Sequence, residues 1–207
     1  MHKTISNLVS IENELKSGSE QDLSTKIIAV TKTFPMSEIK PLINHGHLHF
    51  GENKVQEALE KWTEPKNEFK GIKLHMIGKL QTNKVKFVIP LFDYIHSLDN
   101  LRLAQKISTE QKKLNKKLKI FIQVNIGNED QKSGINQNEV ISFHQKCIND
   151  FDLDIVGLMC IPPFKERKNE YFKLMNGLNK SIGLEELSMG MSSDYLGAVS
   201  HGATYIR

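Results

Sequence analysis

The sequence predicts a single (β/α)8 TIM-type barrel, an α/β fold, and three observations carry that expectation. Eight short apolar runs alternate with seven amphipathic segments, at about 20 to 35 residues per repeat, the cadence of a parallel sheet built from βα units. Eight repeats are the number that closes such a sheet on itself. The turn after the first run reads Lys-Thr-Phe-Pro, whereas a doubly wound open sheet, the competing architecture, usually carries a glycine-rich phosphate turn there.

The elements follow in order. Thr4 to Lys16 places Ile5, Leu8, Val9 and Leu15 at helical spacing, an amphipathic helix ahead of the barrel, and the polar stretch 17–24 reads as a loop. Ile27 to Thr31 is mostly β-branched and apolar, the pattern of a strand buried on both faces, and Pro35 bars its continuation. Met36 to His45 is a helix with Ile39, Leu42 and Ile43 on one face, closing near Gly46. His47 to Gly51 is the second strand, and Asn53 is placed to cap a helix from Lys54 to Trp62. Strands at Lys73–Gly78, Asp93–Leu98, Leu118–Ile126 and Leu153–Ile161 follow, the last stopped by Pro162 and Pro163. Helices near Asn83–Val88, Asn100–Leu114, Asn136–Cys147 and Glu166–Leu178 come after them in turn. Leu187–Met191 is the seventh strand, Ser193–His201 a helix and Ala203–Arg207 the eighth strand.

The bulk numbers fit one domain, with residues 1–24 an N-terminal helix and loop and 25–207 the barrel. A chain of 207 residues, 39% hydrophobic and 25% charged, is of ordinary globular composition and can bury one large core. No apolar run has membrane-spanning length and the N-terminus lacks a signal-peptide core, so a cytoplasmic protein without membrane partners is expected. Cys147 and Cys160, the two cysteines, have no metal-ligand spacing, and no disulfide is expected. The net charge is +4, but only Arg102, Arg167 and Arg207 are arginines. Base and phosphodiester recognition favours arginine forks and interleaved aromatics, and their lack argues against a nucleic-acid partner.

A barrel gathers its chemistry at the carboxyl ends of its strands. Lys32 stands there after the first strand, on the face of Ile28 and Val30, so its ammonium is expected above apolar neighbours that disfavour the charge. A neutral amine so placed is a Schiff-base former; a solvated loop lysine is the competing reading. The segment LSMGMSSD, 187–194, brings the small residues Ser188, Gly190 and Ser192 to one face and then starts a helix, which suits a phosphate or a plain N-cap. Arg207 ends the last strand and can pair with an anion or a ring nitrogen. His45, His47 and His49 raise a metal site, but no third ligand is signalled beside any pair, and none is assigned. His75 is open between a ligand contact and a satisfied core histidine.

Taken together, AVTKTFP, HFGENKVQEAL, LHMIGKLQTNK, QVNIGNEDQKSG, GLMCIPP, LSMGMSSD and the final GATYIR resemble the pyridoxal phosphate homeostasis protein family, of the YggS or PROSC type. The resemblance runs in order from about residue 27 to 207, and the family in turn resembles the barrel domain of alanine racemase, the fold-type III arrangement. It implies pyridoxal 5′-phosphate (PLP) held as an aldimine of Lys32. It also implies a phosphate site at Ser192 with Gly190 and Met191 beside it, and Arg207 facing the pyridine nitrogen. Asn53 and Lys132 follow as further pocket members from the FGEN and KSG motifs. Family chains continue past this arginine with Ile-Gly-Thr and a closing helix, so part of the phosphate site is expected beyond residue 207 and the 207-residue chain is expected to hold PLP more weakly.

The implied role is PLP homeostasis, holding the cofactor and delivering it to PLP-dependent apoenzymes without substantial catalysis, by a protein expected to be a monomer. The alternative is a PLP-dependent amino-acid racemase. Racemisation needs an acid or base on each face of the substrate α-carbon, and the alanine racemase-like enzymes draw the second from a further domain that has no counterpart among these motifs.

Overall fold

The computed structural model describes residues 2–17, 25–129, 131–163 and 168–207. The expected loop over 17–24 and the start of the helix expected from Glu166 lie mostly outside them. Helix α1 (Lys3–Ser17) precedes a sheet of nine parallel segments: β1 (Lys26–Ile27), β2 (Ala29–Val30), β3 (His49–Glu52), β4 (Lys73–Met76), β5 (Tyr94–Leu98), β6 (Lys119–Val124), β7 (Asp154–Cys160), β8 (Glu186–Ser188) and β9 (Tyr205–Ile206). Helices α2 (Met36–Asn44), α3 (Val55–Glu68), α4 (Val85–Leu91), α5 (Leu101–Leu114), α6 (Val140–Asn149), α7 (Lys168–Ser181) and α8 (Tyr195–Ser200) make the crossovers.

The strand order β1-β9-β8-β7-β6-β5-β4-β3-β2 closes because β1 and β2 are one stretch of chain that changes partner at Ile28. Lys26 and Ile27 pair with Tyr205 and Ile206, and Ala29 and Val30 pair with Phe50 and Gly51. The Ile28 amide still bonds Ile206 O at 2.8 Å, and the Thr31 amide already bonds Gly51 O at 2.9 Å. The expected first strand is thus split in two, and the eight-stranded barrel stands.

Two apolar layers follow from the alternation of side chains across each strand. The larger lies between sheet and helices, where Phe50, Leu74, Ile95, Ile120 and Leu158 meet Trp62, Val88, Ile107 and Met175. The smaller fills the barrel lumen with Ile28, Tyr94, Phe121, Met159 and Tyr205. Trp62 of α3 packs on Phe50 with ring centroids 4.9 Å apart. Helix α5 is capped as its sequence dictates: Asn100 Oδ1 accepts from the Leu103 amide at 2.8 Å, and Asn115 closes the helix in the left-handed region.

Two local expectations are corrected. Lys54, not Asn53, is the residue preceding α3, and among the described residues the buried Asn53 Oδ1 has no hydrogen-bond partner. Residues of the first strand other than Ile28 and Thr31 are half-buried, because β1 and β2 are short and the lysine-bearing turn follows at once. Among the described residues no helix is long and apolar enough to cross a membrane. Both cysteines are free and buried.

Candidate functional site

Lys32 lies in the turn after β2 and is exposed, so the expected desolvation of its ammonium is not found. The strand ends at Val30, and the chain turns at once through Lys32 and a left-handed Thr33, with φ of 65°. Thr33 is not glycine, so this conformation needs outside support. The support comes from α3 and the end of β3. The Thr33 amide donates to Glu57 Oε1 at 2.5 Å, and the Phe34 amide closes the turn on Thr31 O at 3.1 Å. Lys61 Nζ donates to Thr31 O at 2.8 Å and to Glu52 Oε1 and Glu57 Oε1 at 2.9 Å each. An ammonium has three protons, and here three acceptors match them. Glu52, fully buried, also accepts from Thr31 Oγ1 at 2.7 Å and from Trp62 Nε1 at 2.9 Å. Lys32 thus stands exposed on a turn fixed from both sides.

The remaining expected residues fall into two groups. Met191, Ser192 and Arg207 line a cavity of about 520 Å³ between α1 and α8, with Glu14 and Tyr195 on its wall. Gly190 lies beside it: its carbonyl accepts from the Arg207 amide at 3.1 Å, and at its φ of 96° a Cβ would stand 2.7 Å from Ala198 Cβ. Asn53 and Lys132 line a second cavity of about 360 Å³ with Gly78, Gln123 and Asn125. Lys132 pairs with Glu129 and reaches Pro162 O at 3.4 Å. The segment after Ser192 differs from its expected form. Helix α8 has six residues, and Asp194 Oδ1 takes the Met191 amide at 2.6 Å. The charge of Asp194 is met by Lys168 Nζ at 2.6 Å. Ser192 and Ser193 stay exposed. At the end of β9, Arg207 Nη1 donates to Ser188 Oγ at 3.0 Å and Nη2 to Cys160 O at 2.8 Å.

Beneath this rim a file of imidazoles crosses the lumen. His49 Nδ1 lies 2.9 Å from His75 Nε2, His75 Nδ1 lies 2.9 Å from His96 Nε2, and His96 Nδ1 lies 2.8 Å from Ser188 Oγ. His75 stacks on Tyr94 with centroids 4.2 Å apart, and His96 on Phe121 at 4.3 Å. Burial holds His75 and His96 well below the ordinary imidazole range, helped by His96 beside His75 and by Arg207 beside His96. His47 and His49, raised by the sequence as a metal pair, do not converge: His49 faces His75, while His47 Nε2 meets His49 O at 2.8 Å.

These histidines make the fold acid-sensitive. Their folded pKa values lie below that of the unfolded chain, so unfolding takes up protons, and stability present above about pH 6.5 is lost as the pH falls toward the folded values. For His75 and His96 together the loss approaches about 2.7 kcal/mol per pH unit, at about 1.4 for each. Urea unfolding midpoints at about pH 7.5, 6.5 and 5.5 check this, with the steepest decline expected in the lower interval.

The profile of the alanine racemase N-terminal domain matches residues 7–207. The pyridoxal phosphate homeostasis protein of Pasteurella multocida is 32% identical over 96% of this chain and 89% of its own length. The chain belongs to the pyridoxal phosphate homeostasis protein family. The Aquifex aeolicus member is 35% identical over 88% of this chain and 83% of its own. PipY of Synechococcus elongatus, solved with PLP bound, superposes with a TM-score of 0.87 at 31% identity, over 98% of this chain and 95% of its own. The fold-level likeness to that family stated from the motifs, and the barrel itself, are therefore established for this chain.

Two parts of the candidate site were not assigned from sequence. One is the Glu52, Glu57 and Lys61 anchor: residues 57 and 61 are one helical turn apart, a signal that pairs charges but does not say that a strand end lies between them. The other is the file of histidines. A histidine at the middle of two successive apolar strands, LHM and IHS, was the available sign, but strands covered on both faces do not tell lumen from helix side.

Proposed function

We propose that this chain binds PLP covalently through Lys32 and serves to hold and deliver the cofactor. The single observation that carries the reading is the amine of Lys32, exposed on a turn that two carboxylates and an ammonium hold in place, at the carboxyl rim that also bears Arg207. The residues present fit the cofactor. A primary amine suits its aldehyde, a guanidinium suits its ring nitrogen, and the exposed hydroxyls of Ser192 and Ser193 beside the tight Gly190–Met191 passage suit its phosphate. Asn53, whose buried Oδ1 has no partner among the described residues, and Lys132 flank the rim from the second cavity. When bound, PLP supplies a reversible carbonyl and an electron-withdrawing ring.

What the chain's own groups do with it argues for holding over turnover. Arg207 donates to its partners and does not release a proton, so a ring nitrogen placed against it would stay unprotonated and the electron sink would be weakened. Tyr94 and Tyr205 are buried in the lumen, with the Tyr205 hydroxyl donating to Tyr94 at 3.3 Å. Tyr195 lines the 520 Å³ cavity, but its hydroxyl is committed to Glu14 and that bond pushes its pKa up to about 12. A phenol so held is a poor base at neutral pH. Recipient apoenzymes as partners, a monomeric state and a cytoplasmic location are parts of the same proposal.

The test is direct. Purified protein mixed with PLP is expected to gain visible absorption that gel filtration does not remove, to pass the cofactor to a PLP-dependent apoenzyme, and to leave L-alanine optically pure. Steady formation of D-alanine that disappears in Lys32→Ala overturns the carrier reading in favour of a racemase.

A further inference from the structure

The file of imidazoles has a direction, and the donor count fixes it. A neutral imidazole has one N–H and one bare nitrogen, and a hydroxyl has one proton. The four groups of the file therefore admit two arrangements. In the first, Ser188 donates to His96 Nδ1, His96 Nε2–H donates to His75 Nδ1, and His75 Nε2–H donates to His49 Nδ1. The lone pair of Ser188 Oγ then faces Arg207 Nη1, which donates to it at 3.0 Å. In the second, every proton is reversed, and Ser188 Oγ accepts from both His96 and Arg207. Its own proton then has no acceptor among the described residues, in a side chain that is fully buried. The first arrangement leaves over only the N–H at the His49 end, where the ring is half-buried and water can take it. An unmatched buried donor is the costlier defect, so the first arrangement prevails.

We propose that His75 and His96 are positioning residues for Arg207: locked in the Nε2–H tautomer, they turn the Ser188 proton inward and present the guanidinium with a fixed acceptor. Cys160 O supplies the second fixed point, and a fork held at two nitrogens is held in orientation as well as place. Stacking on Tyr94 and Phe121 fixes the two ring planes, so the file cannot slacken by ring rotation alone. The geometry stands without any ligand. Its consequence, that the file sets how firmly Arg207 meets a ring nitrogen, rests on the PLP reading above.

The experiment separates the two. Nitrogen-15 NMR of histidine-labelled protein without PLP, at about pH 7, is expected to show His75 and His96 each as a single neutral Nε2–H tautomer. Either ring as Nδ1–H, or as imidazolium, overturns the proposal. In Ser188→Ala the first donor of the file is lost, and both rings are expected to populate two tautomers, the minor one at least about tenfold above its wild-type level. Ser188→Thr restores the hydroxyl and the single tautomers. Should Ser188→Ala not fold, His49→Leu removes the last acceptor, and His75 is expected in both tautomers; a single tautomer there overturns the proposal. With PLP added, Ser188→Ala is expected to move the pH midpoint of the bound chromophore by about one unit or more and Ser188→Thr to leave it. An unmoved midpoint with the tautomers as expected reduces the file to a structural role and overturns the positioning claim. Absence of PLP binding by the wild-type protein, with the tautomers as expected, instead overturns the functional reading.

Discussion

Lys32→Ala is expected to abolish the covalent retention of PLP while leaving the fold untouched. Lys32 is exposed on its turn, and none of the bonds that fix that turn passes through its side chain: they run from the Thr31 carbonyl and hydroxyl and from the Thr33 and Phe34 amides. A surface substitution of this kind costs within about 0.5 kcal/mol, so unfolding midpoints of variant and wild type should coincide. PLP affinity, by contrast, is expected to fall on the order of 100-fold or more, about 2.7 kcal/mol, because only noncovalent contacts remain. Borohydride reduction of the wild-type complex and peptide mapping should place the pyridoxyl group on the peptide that contains Lys32. An adduct found mainly on Lys132, which is paired with Glu129 in the other cavity, or on Lys84, would sink the assignment.

That separation between an exposed amine and a braced turn was only half legible in the sequence. Alternation put Lys32 on the face of Ile28 and Val30, and extrapolating the strand by two residues predicted a desolvated ammonium. The strand in fact ends at Val30, and a left-handed threonine redirects the chain. Nothing in TKTFP announces a left-handed Thr33, because the donor and acceptor that stabilise it come from α3, more than twenty residues on. The barrel was legible for the opposite reason. Its signal is repeated eight times, and each repeat is a local matter of apolar runs and breakers. The rim residues were legible as a set, since any barrel strand delivers its last residue there, but not their division between two cavities. The lumen was the least legible part. Tyr205 and Tyr94 sit among strand residues whose neighbours are equally apolar, and it takes the strand register, with His75 beside Tyr94 and Ser188 beside Tyr205, to show which side they share.

The anchor beneath Lys32 carries the largest stability effect expected of a single side chain. Lys61 is only 9% exposed and Glu52 not at all, and Glu52 Oε1 draws three donors while Oε2 has none among the described residues. Replacing Lys61 by methionine keeps most of the apolar stem but strands the buried Glu52 carboxylate with two neutral donors, which is expected to cost about 3–5 kcal/mol. A surface ion pair would cost no more than about 1 kcal/mol, so the measured figure decides whether the pair behaves as buried. The double variant Glu52→Gln with Lys61→Met removes both charges and should recover a large part of the loss, since the penalty lies in the unpaired charge and not in the missing attraction. Urea unfolding of wild type, both single variants and the double variant gives the coupling directly. The same cycle bears on the site. Lys61 is the only one of the three anchoring side chains that touches both carboxylates and the Thr31 carbonyl, so Lys61→Met should also free the turn. Slower borohydride-trappable incorporation of PLP in Lys61→Met, at a denaturant-free temperature where it is fully folded, is the expected sign; incorporation at the wild-type rate would mean that Glu57 and the Thr33 amide hold the turn without Lys61.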